Sequence, residues 1–468
     1  MKKTYKRALT LVSVTLSAIV TTTVNAAYSL PEYTKTELNN GLTVYLLEQH
    51  EVPLIDVNVV VKAGAVEDGK LAGLSYLTAE NLKLGTKSLT KDKMDETLDF
   101  IGAEVVADSS LEFSQISASL AKKDLNKVLP ILKDMVAEPA FDKAEFEKHK
   151  SRYLLQLQQL KESPKSVINN YFNKTLFGGS GYGSVEQGDT ESVTAITIDD
   201  IKQYHQTWYQ PSQSAIIVVG DFETQAMLKQ VKALFGEWEN TKTPKRTEIT
   251  GVKDFKNANV VLVNKADAIE STFMIGGKGV ARSNPDYIGI RVINTILGGR
   301  FTSWLNDELR VNSGLTYGAR SAFRSYSQAG TFAISTFTKS STTEEAMDLA
   351  LQTYQRLWNK GIDEKTLASA KAYVKGQFPT RYETSTQLAD LLANMFGYGF
   401  DEQFINTFEQ QVNSLTTAKA KTLINKYFPK DNLQFVVVGK AEEIAETLTK
   451  YGKVKQLEIK DAGYDVKL

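Results

Sequence analysis

Ala215-Ile216-Ile217-Val218-Val219-Gly220 is an apolar run closed by a glycine, and Phe435-Val436-Val437-Val438-Gly439 repeats it near the other end of the chain. The surroundings repeat as well. Thr197-Ile198-Asp199-Asp200-Ile201 leads through Tyr209 and Pro211 into the first run, and Leu415-Thr416-Thr417 leads through Tyr427 and Pro429 into the second. Helix-patterned segments follow both, over 224–235 and 441–451. The proline recurs at an offset of 218 (429 − 211) and the glycine at 219 (439 − 220). Earlier in each copy, Val44-Tyr45-Leu46-Leu47-Glu48-Gln49 is echoed by Val260-Val261-Leu262-Val263-Asn264-Lys265. Matches in the same order at one nearly constant offset describe a chain written twice.

The repeat predicts an α+β protein of two homologous domains, each an antiparallel-rich sheet packed with helices, forming a bilobed chain. The expected boundaries are 28–236 and 256–468, joined by a linker over 237–255 that is polar, contains a proline and lacks apolar periodicity. In the first half, strands are expected over 42–49, 56–62, 104–107 and 113–120, and helices over 72–84, 91–101, 125–137 and 143–161.

The chain has 468 residues, 42% of them hydrophobic and 24% charged, which describes a globular protein with more than one core. The formal charge is zero, so no electrostatic case exists for a nucleic-acid partner. Lys2, Lys3, Lys6 and Arg7, a short apolar run over 8–20 and the small residues around Ala26 predict a cleaved export signal over 1–26. No later stretch is long and apolar enough for an integral membrane segment. The chain holds no cysteine, which excludes disulfides, thiolate metal sites and cysteine-linked lipid. Its three histidines, His50, His149 and His205, share no helical-turn spacing and are expected at the surface or at helix ends.

The stretch Gly73 to Thr86, GLSYLTAENLKLGT, resembles the metal-binding helix of the pitrilysin or insulinase-like zinc peptidases (the inverted zincins), which reads roughly GLAHxLEHMLFKGT. Gly73, Leu74, Leu82, Gly85 and Thr86 fall on that frame. The family's H-x-x-E-H falls on Tyr76, Leu77, Thr78, Ala79 and Glu80, and its third ligand, a Glu on a later helix, falls on Gln156. Tyr76, Ala79, Glu80 and Gln156 are therefore degenerate positions. Alanine has no proton acceptor, a phenol with a pKa near ~10 is a poor zinc ligand at neutral pH, and Gln is a weak neutral donor. The resemblance implies a peptidase fold whose own metal centre is lost. Glu112 and Glu162 are the neighbouring carboxylates that could substitute.

A second family segment is kept. Leu297-Gly298-Gly299-Arg300-Phe301-Thr302-Ser303-Trp304-Leu305 and Glu308-Leu309-Arg310-Val311-Asn312-Ser313-Gly314-Leu315-Thr316-Tyr317-Gly318-Ala319 are similar to the part of these peptidases that grips substrate backbone with an Arg and a Tyr. Those residues here are Arg310 and Tyr317. A guanidinium donates a fork of hydrogen bonds, and a phenol donates to a carbonyl or a developing oxyanion. The plainer alternative makes Arg310 a partner of Asp307 or Glu308 and Tyr317 a core residue. Val106-Ala107-Asp108-Ser109 departs from the family's peptide-binding edge strand.

The resemblance implies a periplasmic, non-catalytic subunit of a heterodimeric zinc metallopeptidase. It would bind no cofactor itself and would be active only with a homologous H-x-x-E-H subunit that carries the zinc. Its other partners would be peptides. The rival expectations are a pseudoenzyme serving as a peptide-binding or structural scaffold, and an autonomous metallopeptidase with unusual ligands.

Overall fold

The computed structural model describes residues 28–179, 181–240, 245–249 and 251–468. The expected export signal lies outside the described residues, as do five positions of the expected linker, 241–244 and 250. Among the described residues no helix is long and apolar enough to cross a membrane.

The chain forms two six-stranded sheets. The first contains β1 (Thr34–Glu37), β2 (Thr43–Glu48), β3 (Leu54–Val61), β4 (Glu104–Ser109), β5 (Ser114–Ala121) and β6 (Ser214–Gly220). The second contains β7 (Asn259–Asn264), β8 (Glu270–Lys278), β9 (Arg320–Ser325), β10 (Gly330–Lys339), β11 (Gln434–Gly439) and β12 (Lys453–Glu458). Their orders are β1-β2-β6-β3-β5-β4 and β12-β7-β11-β8-β10-β9. The repeated apolar runs are β6 and β11, and both are buried along their whole length. Each lies parallel to one neighbour and antiparallel to the other. Val218 pairs with Leu46 and Val57, and Val437 pairs with Leu262 and Phe273. A strand flanked on both sides and covered on both faces has no polar position, which is why it reads as an unbroken apolar run.

The halves differ at one edge. β1 lies antiparallel to β2, whereas β12 reaches the equivalent place from the C-terminal end and lies parallel to β7. Neither strand was expected from sequence. Both are largely exposed and polar, TKTE and KVKQLE, so neither carries an apolar signal. The helix expected over 72–84 is shorter, Leu74–Asn81. It starts at Gly73, whose φ of 88° suits glycine, and the buried Asp68 carboxyl accepts hydrogen bonds from Gly73 N and Ser75 N at 2.8 Å each.

The two lobes exchange helices. Pro164–Phe177, from the first half, packs on β8 and β11 of the second sheet. Val167, Ile168, Tyr171 and Phe172 share an apolar cluster there with Met274 and Val436. Reciprocally, Ser385–Tyr398 packs on β3 and β6, and its Leu388, Leu392 and Met395 join the core of Val60, Ile217 and Val219. Buried carboxylates of the first half pin the second. Asp56 accepts from Ser385 Oγ at 2.5 Å and Thr386 Oγ1 at 3.0 Å. Glu112 accepts from Ser327 N at 2.9 Å and from the Tyr182 hydroxyl at 2.7 Å. The two halves are therefore interlocked.

Candidate functional site

The degenerate positions are filled by packing. Tyr76 stacks on Tyr153 of the Lys143–Leu160 helix, with centroids 5.1 Å apart and planes inclined by 24°. The Tyr153 hydroxyl donates to Gln187 O at 2.7 Å. Burial, reinforced by Glu80 and Asp108, pushes the Tyr76 phenol up to about 12, so it stays protonated at neutral pH. Ala79 is fully buried. Glu80 pairs with Lys83 at 2.9 Å and lies 3.9 Å from Nε2 of His149. Gln156 is exposed.

This set does not fit zinc. Glu80 and His149 are two potential ligands, and among the described residues no group of three His, Cys, Asp or Glu side chains could hold a metal. The carboxylates that could have substituted are engaged elsewhere, Glu112 in the inter-lobe clamp and Glu162 with Lys265 at 3.1 Å. The histidine expectation holds for the helix-end position of His205 and is corrected at His149. His205 is at a helix end but buried, with Nε2 on Val136 O at 2.8 Å. His149 is a mid-helix residue half-covered beside Glu80, and burial lowers its imidazole.

Arg310 lies in a wide π-helical turn, Asp307–Asn312, and Tyr317 in the loop that follows it. Ser313 N bonds to Glu308 O at 3.1 Å, and Leu315 N to Leu309 O at 2.9 Å. Such turns recur at functional sites because the inserted residue re-aims its neighbours. Gly314, at φ 67°, ends the turn. Tyr317 is 81% exposed, which rules out the core alternative. It stacks loosely on Phe337, with centroids 6.3 Å apart. Arg310 forms no ion pair with Asp307 or Glu308. Glu308 pairs instead with Arg356 at 2.9 Å, and the Arg310 guanidinium lies 4.7 Å over the Phe301 ring.

Tyr317 borders a cleft of about 390 Å³ between the Pro164–Phe177 helix and the face of β8, β10 and β9. Arg310 does not line it but sits, exposed, on the π-helical turn that precedes the Tyr317 loop. Sequence reasoning missed Lys165, Arg320 and Arg324 on the walls of this cleft. The alternation in Arg320-Ser321-Ala322-Phe323-Arg324 was the available signal, since it reads as an edge strand with two arginines on one face.

The comparisons with known proteins agree with this geometry. The family model for insulinase (peptidase family M16) matches residues 43–185, and that for the peptidase M16 inactive domain matches residues 195–374. The chain belongs to the insulinase family, M16. It is similar to the uncharacterized zinc protease YmxG of Bacillus subtilis, 24% identical over 74% of this chain and 83% of the relative. It is also similar to the non-peptidase homolog YmxG of Helicobacter pylori, 24% identical over 87% and 94%. An M16 inactive domain from Pseudomonas fluorescens shares the fold with a TM-score of 0.81, at 22% identity over 87% of this chain and 98% of that one. Within M16, this chain is of the inactive type, with the H-x-x-E-H positions taken by Tyr76, Ala79 and Glu80.

Proposed function

We propose that this M16 homologue is the substrate-gripping subunit of a heterodimeric periplasmic zinc metallopeptidase that degrades or processes peptides. A homologous H-x-x-E-H subunit would supply the zinc and the water-activating Glu. The observation that carries the reading is the exposed Tyr317 phenol at the mouth of the cleft, in the loop that follows the turn bearing Arg310, which has no carboxylate partner among the described residues. A large exposed aromatic and an unpaired guanidinium contribute little to folding, whereas both can donate hydrogen bonds to a peptide carbonyl. The relatives support an assembly. Among them are mitochondrial-processing peptidase subunit beta and cytochrome b-c1 complex subunit 1, both of Bos taurus and both named as subunits.

The test is peptidase activity of the mature chain with zinc, alone and mixed with an H-x-x-E-H homologue, using wild type and an Arg310→Ala, Tyr317→Phe double variant. Activity only in the mixture, and lost in the variant, is the expected result. The likeness to a subunit of the cytochrome b-c1 complex favours a second reading, a scaffold that adds nothing to cleavage. A stable complex with no activity, or activity indifferent to the double variant, selects that reading. Activity of the chain alone would overturn both.

A further inference from the structure

The cleft beside Tyr317 has a cationic end and an apolar interior. Phe337, Ser335 and Ala333 face it as alternate residues of β10. Lys165, in the first turn of the Pro164–Phe177 helix, places its Nζ 3.3 Å from the centroid of the Phe337 ring. Arg320 of β9 lies opposite Ser335, the next residue along that face. Residues two apart on a strand are separated by about 7 Å. Both cations therefore rise from the end of the cleft that Tyr317 borders, where its ring meets Phe337. No Asp or Glu lines the cleft, and among the described residues neither Lys165 nor Arg320 forms an ion pair. Arg324 stands at the other end, opposite Thr331, where its charge acts on Glu186 and on the Tyr326 phenol.

The backbone around the cleft is already committed. β8 and β10 are paired on both sides within the sheet. In β9, Ser321 N donates to Gly298 O at 3.2 Å, and Ser321 O accepts from Asn294 Nδ2 at 2.9 Å. Recognition in the cleft therefore falls to side chains. Ile168 and Phe172 of the helix and Met274, Ala322 and Ala333 of the sheet make its apolar part. Asn169, one turn after Lys165, also lines it, and among the described residues its amide has no hydrogen-bond partner. The volume of about 390 Å³ is that of an ordinary ligand pocket, which spans roughly 300–1,000 Å³. A ligand that fits carries an anion and an apolar group close together. The last residue of a peptide does so, because its α-carboxylate and its side chain share one Cα. A Glu or Asp within a chain carries the anion but no apolar group of its own.

We propose that this cleft holds the C-terminal residue of a peptide. Its α-carboxylate lies between Lys165 and Arg320, its apolar side chain packs on Ile168, Phe172 and Ala322, and the Asn169 amide donates to the preceding carbonyl. This rests on the reading of the cleft as a substrate groove and adds which end of the substrate is read, a free carboxyl terminus on an apolar residue. The two cations donate charge-assisted hydrogen bonds with no competing acid on the walls, and salt weakens both bonds.

Fluorescence anisotropy on the isolated mature chain tests this, with short peptides labelled at the N-terminus. One ends in Leu with a free carboxylate, one ends in Leu amide, and one ends in Glu amide, which restores the charge on a side chain. The first should bind about tenfold or more tighter than either of the others. A Lys165→Ala, Arg320→Ala double variant should abolish that preference, and Lys165→Arg, Arg320→Lys should keep part of it. No binding of the free-carboxylate peptide would overturn the inference, as would equal binding of the Leu amide or a preference that survives the alanine variant. Equal binding of the Glu amide would overturn it too, by assigning the cations to acidic side chains. The assay uses no partner subunit, so recognition of the carboxyl end can stand even if no mixture ever cleaves. Cleavage by a mixture that is indifferent to C-terminal amidation would sink the end recognition and leave the subunit reading intact.

Discussion

The Tyr76 ring lies against Tyr153 at 5.1 Å, so a position that would face a metal in a complete peptidase is instead one side of an aromatic stack. Ala79, on the same helix, is sealed from solvent. Rebuilding the motif with Tyr76→His, Ala79→Glu and Glu80→His should therefore damage the fold before it restores any chemistry. Ala79→Glu alone puts a carboxylate into a fully buried site and should cost about 3 kcal/mol or more. Urea denaturation would measure this, and a variant as stable as wild type would show that the helix face can open to water.

His205 gives the chain an acid-sensitive element. Its imidazole is buried against Phe141 and Tyr209, and burial holds it down at about 4, from an ordinary value of 6.5. The folded state keeps it neutral while the unfolded chain takes up a proton below about pH 6.5. Its contribution is thus fully present above pH 6.5, is lost as the pH falls toward 4, and amounts to on the order of 3 kcal/mol across that window. Thermal unfolding of wild type and His205→Gln between pH 7 and pH 4 should show the steeper loss in wild type. Parallel curves would contradict the buried neutral imidazole.

Much of the fold was legible because the repeat rests on its most buried strands. β6 and β11 have no polar face, so their sequences match at one offset. The degenerate helix was legible too, because glycines and leucines that fix its frame survive at Gly73, Leu82 and Gly85. The exchange of Pro164–Phe177 and Ser385–Tyr398 between lobes was not, since an amphipathic pattern shows that a face is covered but not by which sheet. The β1 and β12 edges carry too little apolar burial to register. The stacking of Tyr76 on Tyr153 was hidden because the alignment drew attention to Gln156, one helical turn further on and exposed. The π-helical turn at Asp307–Asn312 has no periodic signature in a six-residue segment.

The interlock makes a counterintuitive demand on a helix glycine. Gly397 sits inside the Ser385–Tyr398 helix, where alanine would ordinarily gain about 1 kcal/mol. A Cβ there would come 2.5 Å from Cδ1 of Phe113, in the other lobe. Phe113 is buried and held edge-on by Tyr398 at 5.2 Å, so its ring has little room to retreat. Gly397→Ala should therefore destabilise the chain by about 1–3 kcal/mol. The same substitution paired with Phe113→Leu should recover part of the loss. A stabilised single variant, measured by thermal unfolding, would mean that the lobes are not in close contact at this point.

Tyr317→Phe separates a gripping role from a structural one. The phenol is exposed, and its ring contact with Phe337 would survive the substitution. Stability should stay within about 0.5 kcal/mol of wild type. If the hydroxyl donates to a carbonyl oxygen that gains charge during cleavage by a partner's metal, the mixed peptidase should lose roughly a hundredfold in kcat. KM should change far less, because the bond strengthens in the transition state rather than on binding. A proportionate rise in KM with kcat unchanged would instead assign Tyr317 to ground-state peptide binding. Unaltered kinetics in a folded variant would remove it from the site altogether.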